Sequence, residues 1–116
     1  MFRLSPTRLT IQKLPTAVVV SAVAAAPISG TWKFTEEGDN SSLTREYKFK
    51  DFHQAWAFMS TCVPFINEAD HHPEWFNVYN KVQVKLTTHD CGNCVSERDL
   101  SVAAEMERVA KAISSK

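Results

Sequence analysis

The feature that most constrains this chain is a strict two-residue alternation in its last third. Residues 82 to 88 read VQVKLTT, with Val82, Val84 and Leu86 on one side of an extended backbone and Gln83, Lys85 and Thr87 on the other. That period fits a half-buried strand, because successive side chains of a strand point to opposite faces. An isolated strand or hairpin is barely stable in water, so further strands must pair with it. Residues 75 to 79 (WFNVY) supply one, and Asn80-Lys81 between them reads as a two-residue hairpin turn. The stretches TWKFTEE (31–37) and LTREYKFK (43–50) alternate in the same way around the turn residues GDN at 38–40. Four strands in two hairpins are therefore expected.

Two helices complete the pattern. Asp51 is an N-cap candidate, and Phe52, Trp56, Met59, Val63 and Ile66 follow at helical spacing. The spacing predicts an amphipathic helix over 52–63 with this aromatic stripe in the core. Pro64 lacks an N–H and is expected to kink or end it. Further on, SERD (96–99) resembles a capping box. Leu100, Ala103, Met106, Val109, Ala110 and Ile113 give the helix it opens an apolar face. The order predicts an α+β fold, a four-stranded antiparallel sheet with helices packed on one face.

Composition narrows the function classes. A chain of 116 residues, 44% hydrophobic and 22% charged, is one domain with a real core. Its formal net charge of +0 provides no general field toward nucleic acid or anionic lipid, so neither direct nucleic-acid binding nor membrane association is expected. The three cysteines, Cys62, Cys91 and Cys94, are too few for a disulfide framework. They point to a reduced, intracellular setting in which Cys91 and Cys94 are loop residues. The N-terminus differs in character. Residues 1 to 35 lack Asp and Glu, and AVVVSAVAAAPI (17–28) is apolar but too short to span a bilayer. It resembles part of a targeting peptide, although a folded segment packing on the domain is the reading taken here. The chain then divides into an apolar N-terminal segment, 1–29, and a domain, 30–116.

Chemistry concentrates at DHHPEW, residues 70 to 75. Counted outward from a turn at 80–81, Tyr79 pairs with Val82, Phe76 with Lys85, Trp75 with Leu86, and His72 with His89. Directly opposed residues have Cβ atoms about 4.5–5.5 Å apart. Pro73 biases His72 toward extended backbone, and His71, outside the strand, can turn to the same rim. Three of the four histidines thus share one end of the sheet, while His53 is a solvated helix residue. The trio admits a surface cluster without chemistry, a zinc set of His89, Cys91 and Cys94 with His71 or His72, or acid–base catalysis by groups that exchange protons near neutrality. Asp70 and Asp90 flank the cluster and could orient its imidazoles.

At these residues the chain resembles a known family. DHHPEWFNVYNKVQVKLTTHD followed by SERDL, together with KFKDFHQAWAFM (48–59), is similar to the pterin-4a-carbinolamine dehydratases, also called dimerisation cofactors of a hepatocyte nuclear factor. The likeness spans about residues 30 to 113 and rests on the ordered set His71, His72, Pro73, Tyr79, His89 and Asp99. It implies a four-stranded antiparallel sheet with helices on one face. It also implies conversion of 4a-hydroxytetrahydrobiopterin to quinonoid dihydrobiopterin and water, which recycles tetrahydrobiopterin without metal or organic cofactor. By the same likeness His71 and His89 would exchange protons and His72 would bind and position the pterin. Asp70, Thr87, Thr88 and Asp90 would line the pocket, with Trp75 as a wall or core aromatic. Asp99 would belong to the site, whereas its local sequence makes it the third residue of a capping box. Implied partners are a second copy, as homodimer or homotetramer, and the dimerisation helices of a partner protein, since some relatives act as coactivators or assembly factors. The implied location is the cytoplasm, with nucleus and organelle left open. The chain departs from the pattern in three places: Asn67 stands where many members carry an ionisable residue, the 91–95 loop is one residue longer, and the first thirty residues are unlike.

Overall fold

The computed structural model describes residues 12–25, 28 and 31–115. Its elements are α1 (Thr16–Val23), β1 (Lys33–Glu37), β2 (Asn40–Lys48), α2 (Phe52–Ala69), β3 (Glu74–Val78), β4 (Lys81–Leu86), a 3₁₀ turn (His89–Cys91) and α3 (Glu97–Ser114). The strands form one antiparallel sheet in the order β1-β2-β4-β3. Val82, Val84 and Leu86 on β4 are buried while Lys81, Gln83 and Lys85 are exposed. One face therefore meets the helices and the other is open, as the alternation requires.

The core is aromatic at its centre. Tyr47 lies between Phe49 and Phe58, with ring centroids 5.9 and 4.7 Å away, and Trp32 meets it edge-on at 6.3 Å. Leu43, Phe58, Val82, Leu86 and Met106 are fully buried. Each such side chain contributes roughly 1.5–3 kcal/mol of transfer free energy. One carboxylate sits among these rings. Glu107 Oε1 on α3 accepts from Trp32 Nε1 at 2.9 Å, Arg45 Nε at 2.7 Å and the Tyr47 hydroxyl at 2.7 Å. Burial alone would raise the Glu107 pKa, but bonds from Arg45, Tyr47 and Trp32 hold it below the ordinary carboxylate value. Burial, then Glu107 itself, pushes the Tyr47 phenol far above its ordinary value. The 17–28 run contributes α1, whose Val19 is fully buried, and Ile28, also buried. Residues 1–11 of the N-terminal segment lie outside the described residues.

Three local expectations are corrected. The helix expected over 52–63 does not stop at Pro64 but runs on to Ala69. Pro64 and Ser60 both face solvent, so the Ser60 carbonyl that loses its partner can bond water. The cost of an interior proline, about 3 kcal/mol, is offset by burial on both sides of it.

The apolar stripe is also corrected in part: Ile66 is buried and Met59 packs against the core as expected, but the other three do not. Ala55, Phe58, Cys62 and Ile66 are the buried residues of α2, whereas Phe52, Trp56 and Val63 are 49, 58 and 43% exposed. Two apolar stripes compete on this helix, and the sheet selects the one carrying the smaller Ala55 and Cys62, which permit close approach. Finally, the second hairpin turns at Tyr79-Asn80, with Tyr79 at φ 50, so Val78 pairs with Lys81 and Trp75 with Val84. The expected pairing at 80–81 is displaced by two residues. Because the side-chain period is two, every residue keeps its face. The Asn80 side chain is needed elsewhere, donating to the Phe49 carbonyl at 2.9 Å.

Candidate active site

His71 owes its place to the end of α2. Asp70 adopts the left-handed conformation at φ 51, and the His71 N–H bonds the Ile66 carbonyl at 3.2 Å. This reversal closes the helix and directs the chain back toward the sheet. Pro73 then keeps His72 extended before β3 begins. With the observed register continued past the strand ends, His71 falls level with Thr88 and His72 with Thr87. The opposition of His72 and His89 is thus not formed. Adjacent residues face opposite ways, and the two histidines do: His71 is 7% exposed and turned toward α3, while His72 is exposed.

What His71 meets is Asp99. Its Nε2 lies 2.6 Å from Asp99 Oδ1, and Asp99 is fully buried. The other carboxylate oxygen, Oδ2, accepts from the Thr88 hydroxyl at 2.7 Å and from the Ser96 backbone N–H at 2.8 Å. Since the Thr88 proton is spent on Asp99, the Ser96 hydroxyl donates to Thr88 Oγ1 at 2.6 Å, and it accepts from the Arg98 N–H at 3.2 Å. Ser96 and Asp99 form the complete capping box read from SERD. One carboxylate therefore caps α3 and holds His71 with Nε2 protonated. Of the roles expected for Asp99, the capping one is filled.

His89 starts the 3₁₀ turn, immediately after Thr88. Its ring is exposed, and Nδ1 donates to Asn93 Oδ1 at 2.6 Å. An amide oxygen can only accept, so Nδ1 carries the proton and Nε2 is free. His89, Asn93, Thr87, Ser42, Glu74 and Lys85 border a cavity of about 180 Å³ on the open side of the sheet. Glu74 and Lys85 oppose each other directly across β3 and β4. The same pair borders a neighbouring cavity of about 610 Å³ over the sheet centre, reached also by Trp75. The smaller cavity alone falls below the ~300–1,000 Å³ usual for ligand sites; the two open side by side.

The other expected site residues are distributed as follows. Thr87 is buried and donates to the Ser41 carbonyl at 2.8 Å, which ties β4 to β2 beside the cavity. His72 Nε2 lies 3.4 Å from Asn67 Oδ1, a contact too long to fix the ring. Trp75 is half-buried against the core. Asp70 and Asp90 are exposed, and Asp70 serves the helix end through its backbone. Thr88, through Asp99, is the link that brings the His71 and His89 segments together.

The cysteine expectation is corrected. Cys91 and Cys94 are not unpaired loop residues but a disulfide, with Cα atoms 5.8 Å apart. Among the described residues no group of three or more His, Cys, Asp and Glu is arranged to hold a metal ion. Sequence reasoning overlooked Asn93 and the Glu74–Lys85 pair. The His-x₃-Asn spacing was the available signal for the first, and the two-residue register error concealed the second. No helix among the described residues is long and apolar enough to cross a membrane.

Residues 12–109 match the family model described as pterin 4 alpha carbinolamine dehydratase. A protein of Novosphingobium aromaticivorans named for pterin-4-alpha-carbinolamine dehydratase is 41% identical over 99 residues, covering 85% of this chain and 97% of that one. The crystal structure of a transcriptional coactivator/pterin dehydratase from Brucella melitensis superposes with a TM-score of 0.74 at 37% identity, covering 84% of this chain and 98% of that one. A pterin dehydratase-like protein, identified as a RuBisCO assembly factor in the alpha-carboxysome, shares the fold with a TM-score of 0.58 at 20% identity, covering 69% of this chain and 89% of that one.

Proposed function

The chain belongs to the pterin 4 alpha carbinolamine dehydratase family, and on that premise we propose that it dehydrates 4a-hydroxytetrahydrobiopterin to quinonoid dihydrobiopterin by histidine acid–base catalysis, recycling tetrahydrobiopterin. One observation carries the reading. A buried carboxylate, Asp99, fixes His71 by one oxygen and Thr88 by the other, next to a His89 whose free Nε2 is available at an open cavity.

The reaction needs a proton delivered to the 4a-hydroxyl, which leaves as water as the C4a–O bond breaks. It also needs a proton removed from N5, whose electron pair then forms the C4a=N5 double bond. Proton count is conserved: one ring starts as imidazolium and gives its proton to the hydroxyl, and the other starts neutral and takes the N5 proton. His71, with Nε2 held by Asp99, exchanges at Nδ1. His89, with Nδ1 held by Asn93, exchanges at Nε2. His72, exposed at the same end of the sheet, positions the pterin, with Asp70, Thr87, Thr88, Asp90 and Trp75 around it. General acid–base groups of this kind are worth about 10²–10⁴ in rate. Stopped-flow absorbance with the carbinolamine tests the reading: the His71→Ala, His89→Ala double variant should be at least 10²-fold slow, and a wild-type rate in that variant refutes it.

A second reading has its own support. The exposed Phe52, Trp56 and Val63 form an apolar stripe on a helix whose only Asp, Glu, Lys or Arg is Glu68. Such a face suits a second copy of the chain, as homodimer or homotetramer, or the dimerisation helices of a partner protein. A non-catalytic binding module would use this face alone. Titrating dihydrobiopterin while following tryptophan fluorescence separates the two: the enzyme binds pterin, and the pure scaffold does not at high micromolar ligand.

A further inference from the structure

The turn that carries His89 holds a pair of sulfurs that acid–base chemistry leaves unused. Cys91 and Cys94 are bridged with Cα atoms 5.8 Å apart, well within the span a disulfide closes without moving the backbone. Cys94 is fully buried, whereas Cys91 is partly exposed and open to a reagent. The bridge encircles Gly92 and Asn93, at φ 82 and 62. For asparagine the left-handed conformation costs roughly 1 kcal/mol, so the surroundings must hold it there.

Asn93 is also the anchor of His89. Its side-chain oxygen accepts a hydrogen bond from His89 Nδ1 at 2.6 Å, and its carbonyl accepts the Ser41 N–H at 2.9 Å. Outside the ring, Thr88 and Cys94 exchange two backbone hydrogen bonds of 2.8 and 3.2 Å. The covalent bridge thus closes a smaller loop inside the one these bonds bracket, around Gly92, whose N–H bonds the His89 carbonyl at 3.0 Å, and Asn93. With it closed, Asn93 is confined to the conformation that reaches His89. With it open, Gly92 and Asn93 regain their freedom and the amide can leave the ring.

We propose that Cys91 and Cys94 form a reversible thiol–disulfide site, exchanging with small dithiols and disulfides, whose oxidation state sets the tautomer and aim of His89. On reduction a dithiol's thiolate attacks the accessible Cys91 sulfur, and Cys94 departs as a thiolate and takes a proton. The reagent's second thiol, as its thiolate, then displaces Cys91, which is protonated in turn. The products are two cysteine thiols and one oxidised dithiol. Oxidation by a small disulfide runs the same exchange in reverse. This inference deepens the dehydratase reading, and only its rate measurement rests on that reading.

The full chain is held in dithiothreitol or in oxidised glutathione, quenched with iodoacetamide and weighed intact. Two fewer labels are expected after oxidation, and Cys62 stays unlabelled in both. Long-range ¹H–¹⁵N spectra of the same samples should show His89 as a single Nδ1–H tautomer when oxidised and as an average of both tautomers when reduced, with His53 unmoved. The dehydration rate should fall by up to about 10²-fold on reduction, the scale of a displaced catalytic group. The Cys91→Ser, Cys94→Ser variant should give the reduced values in both buffers. Should that variant not fold, the wild-type pair of samples decides. Equal labelling in both buffers overturns the proposal, as does a disulfide that forms while the His89 signals stay the same. Thiol and ring changes as expected, with no dehydration in either state, leave this site standing and refute the dehydratase reading instead.

Discussion

Replacing Asp99 by Asn separates the capping role of this residue from its chemical one. The carboxylate takes three hydrogen bonds, from His71 at 2.6 Å, Thr88 at 2.7 Å and the Ser96 N–H at 2.8 Å, with no exposure to solvent. Asn keeps the shape but offers one acceptor oxygen and one donor group. The oxygen is claimed by the Ser96 N–H, whose direction the backbone fixes. The Asn amide then faces His71 Nε2, which must become an acceptor, so the ring's proton moves to Nδ1. Hydrogen bonds to a charged group are worth about 1.5–3 kcal/mol against 0.5–1.5 for neutral ones. The variant escapes burying a charge, so the net stability loss is about 1–3 kcal/mol, or roughly 1 M in urea midpoint. The wrong tautomer is far more costly to rate, about 10²–10⁴ in kcat. Pterin binding should change little, because the substituted side chain is itself fully buried and the isosteric amide leaves His71 in place. Urea denaturation, stopped-flow dehydration and fluorescence titration on one preparation give all three numbers. A variant that loses stability yet keeps its kcat reduces Asp99 to a helix cap and refutes the argument.

Two further outcomes follow from the core. Glu107→Ala strands the Trp32, Tyr47 and Arg45 donors and should cost about 3–5 kcal/mol at neutral pH. The folded-state pKa of Glu107 is lowered, so its stabilisation is present above the unfolded carboxylate value near 4.3 and is lost as pH falls through the folded one. Urea curves of wild type and Glu107→Gln at pH 7 and pH 3 should therefore draw together in acid, and a constant gap contradicts the assignment. Cys62 has its thiol pushed up to about 12 by burial and then by Glu105, so at pH 8 it should resist iodoacetamide for hours and react within minutes once the chain is unfolded in urea.

Most of the architecture was legible because it depends on short-range signals. The VQVKLTT alternation, the Asp51 cap and the SERD box each specify a local geometry, and each formed. Asp51 accepts the Gln54 N–H at 2.9 Å as an N-cap should. Misreadings arose where two local solutions compete and distant packing decides. On α2 both apolar stripes satisfy helical spacing, and only the sheet picks Phe58 over Trp56. At the second hairpin either Tyr79-Asn80 or Asn80-Lys81 can turn, and the Asn80 bond to Phe49, thirty-one residues away, selects the first. The histidine trio was visible as composition, but its roles were not. His71 pairs with a residue twenty-eight positions along the chain, and His89 with one four along in an irregular turn.

The strand order has a consequence for how the molecule comes together. β1–β2 and β3–β4 are neighbours in sequence and can zip in microseconds. β2 meets β4 only when the whole of α2 has been looped between Lys48 and Lys81, and that closure costs entropy before it returns contacts. The Ser41 bonds to Thr87 and Asn93 both cross this seam. A chain with both hairpins made but the seam open has no cavity beside His89, so in refolding the capacity to bind a ligand arrives with the closing step and dates it.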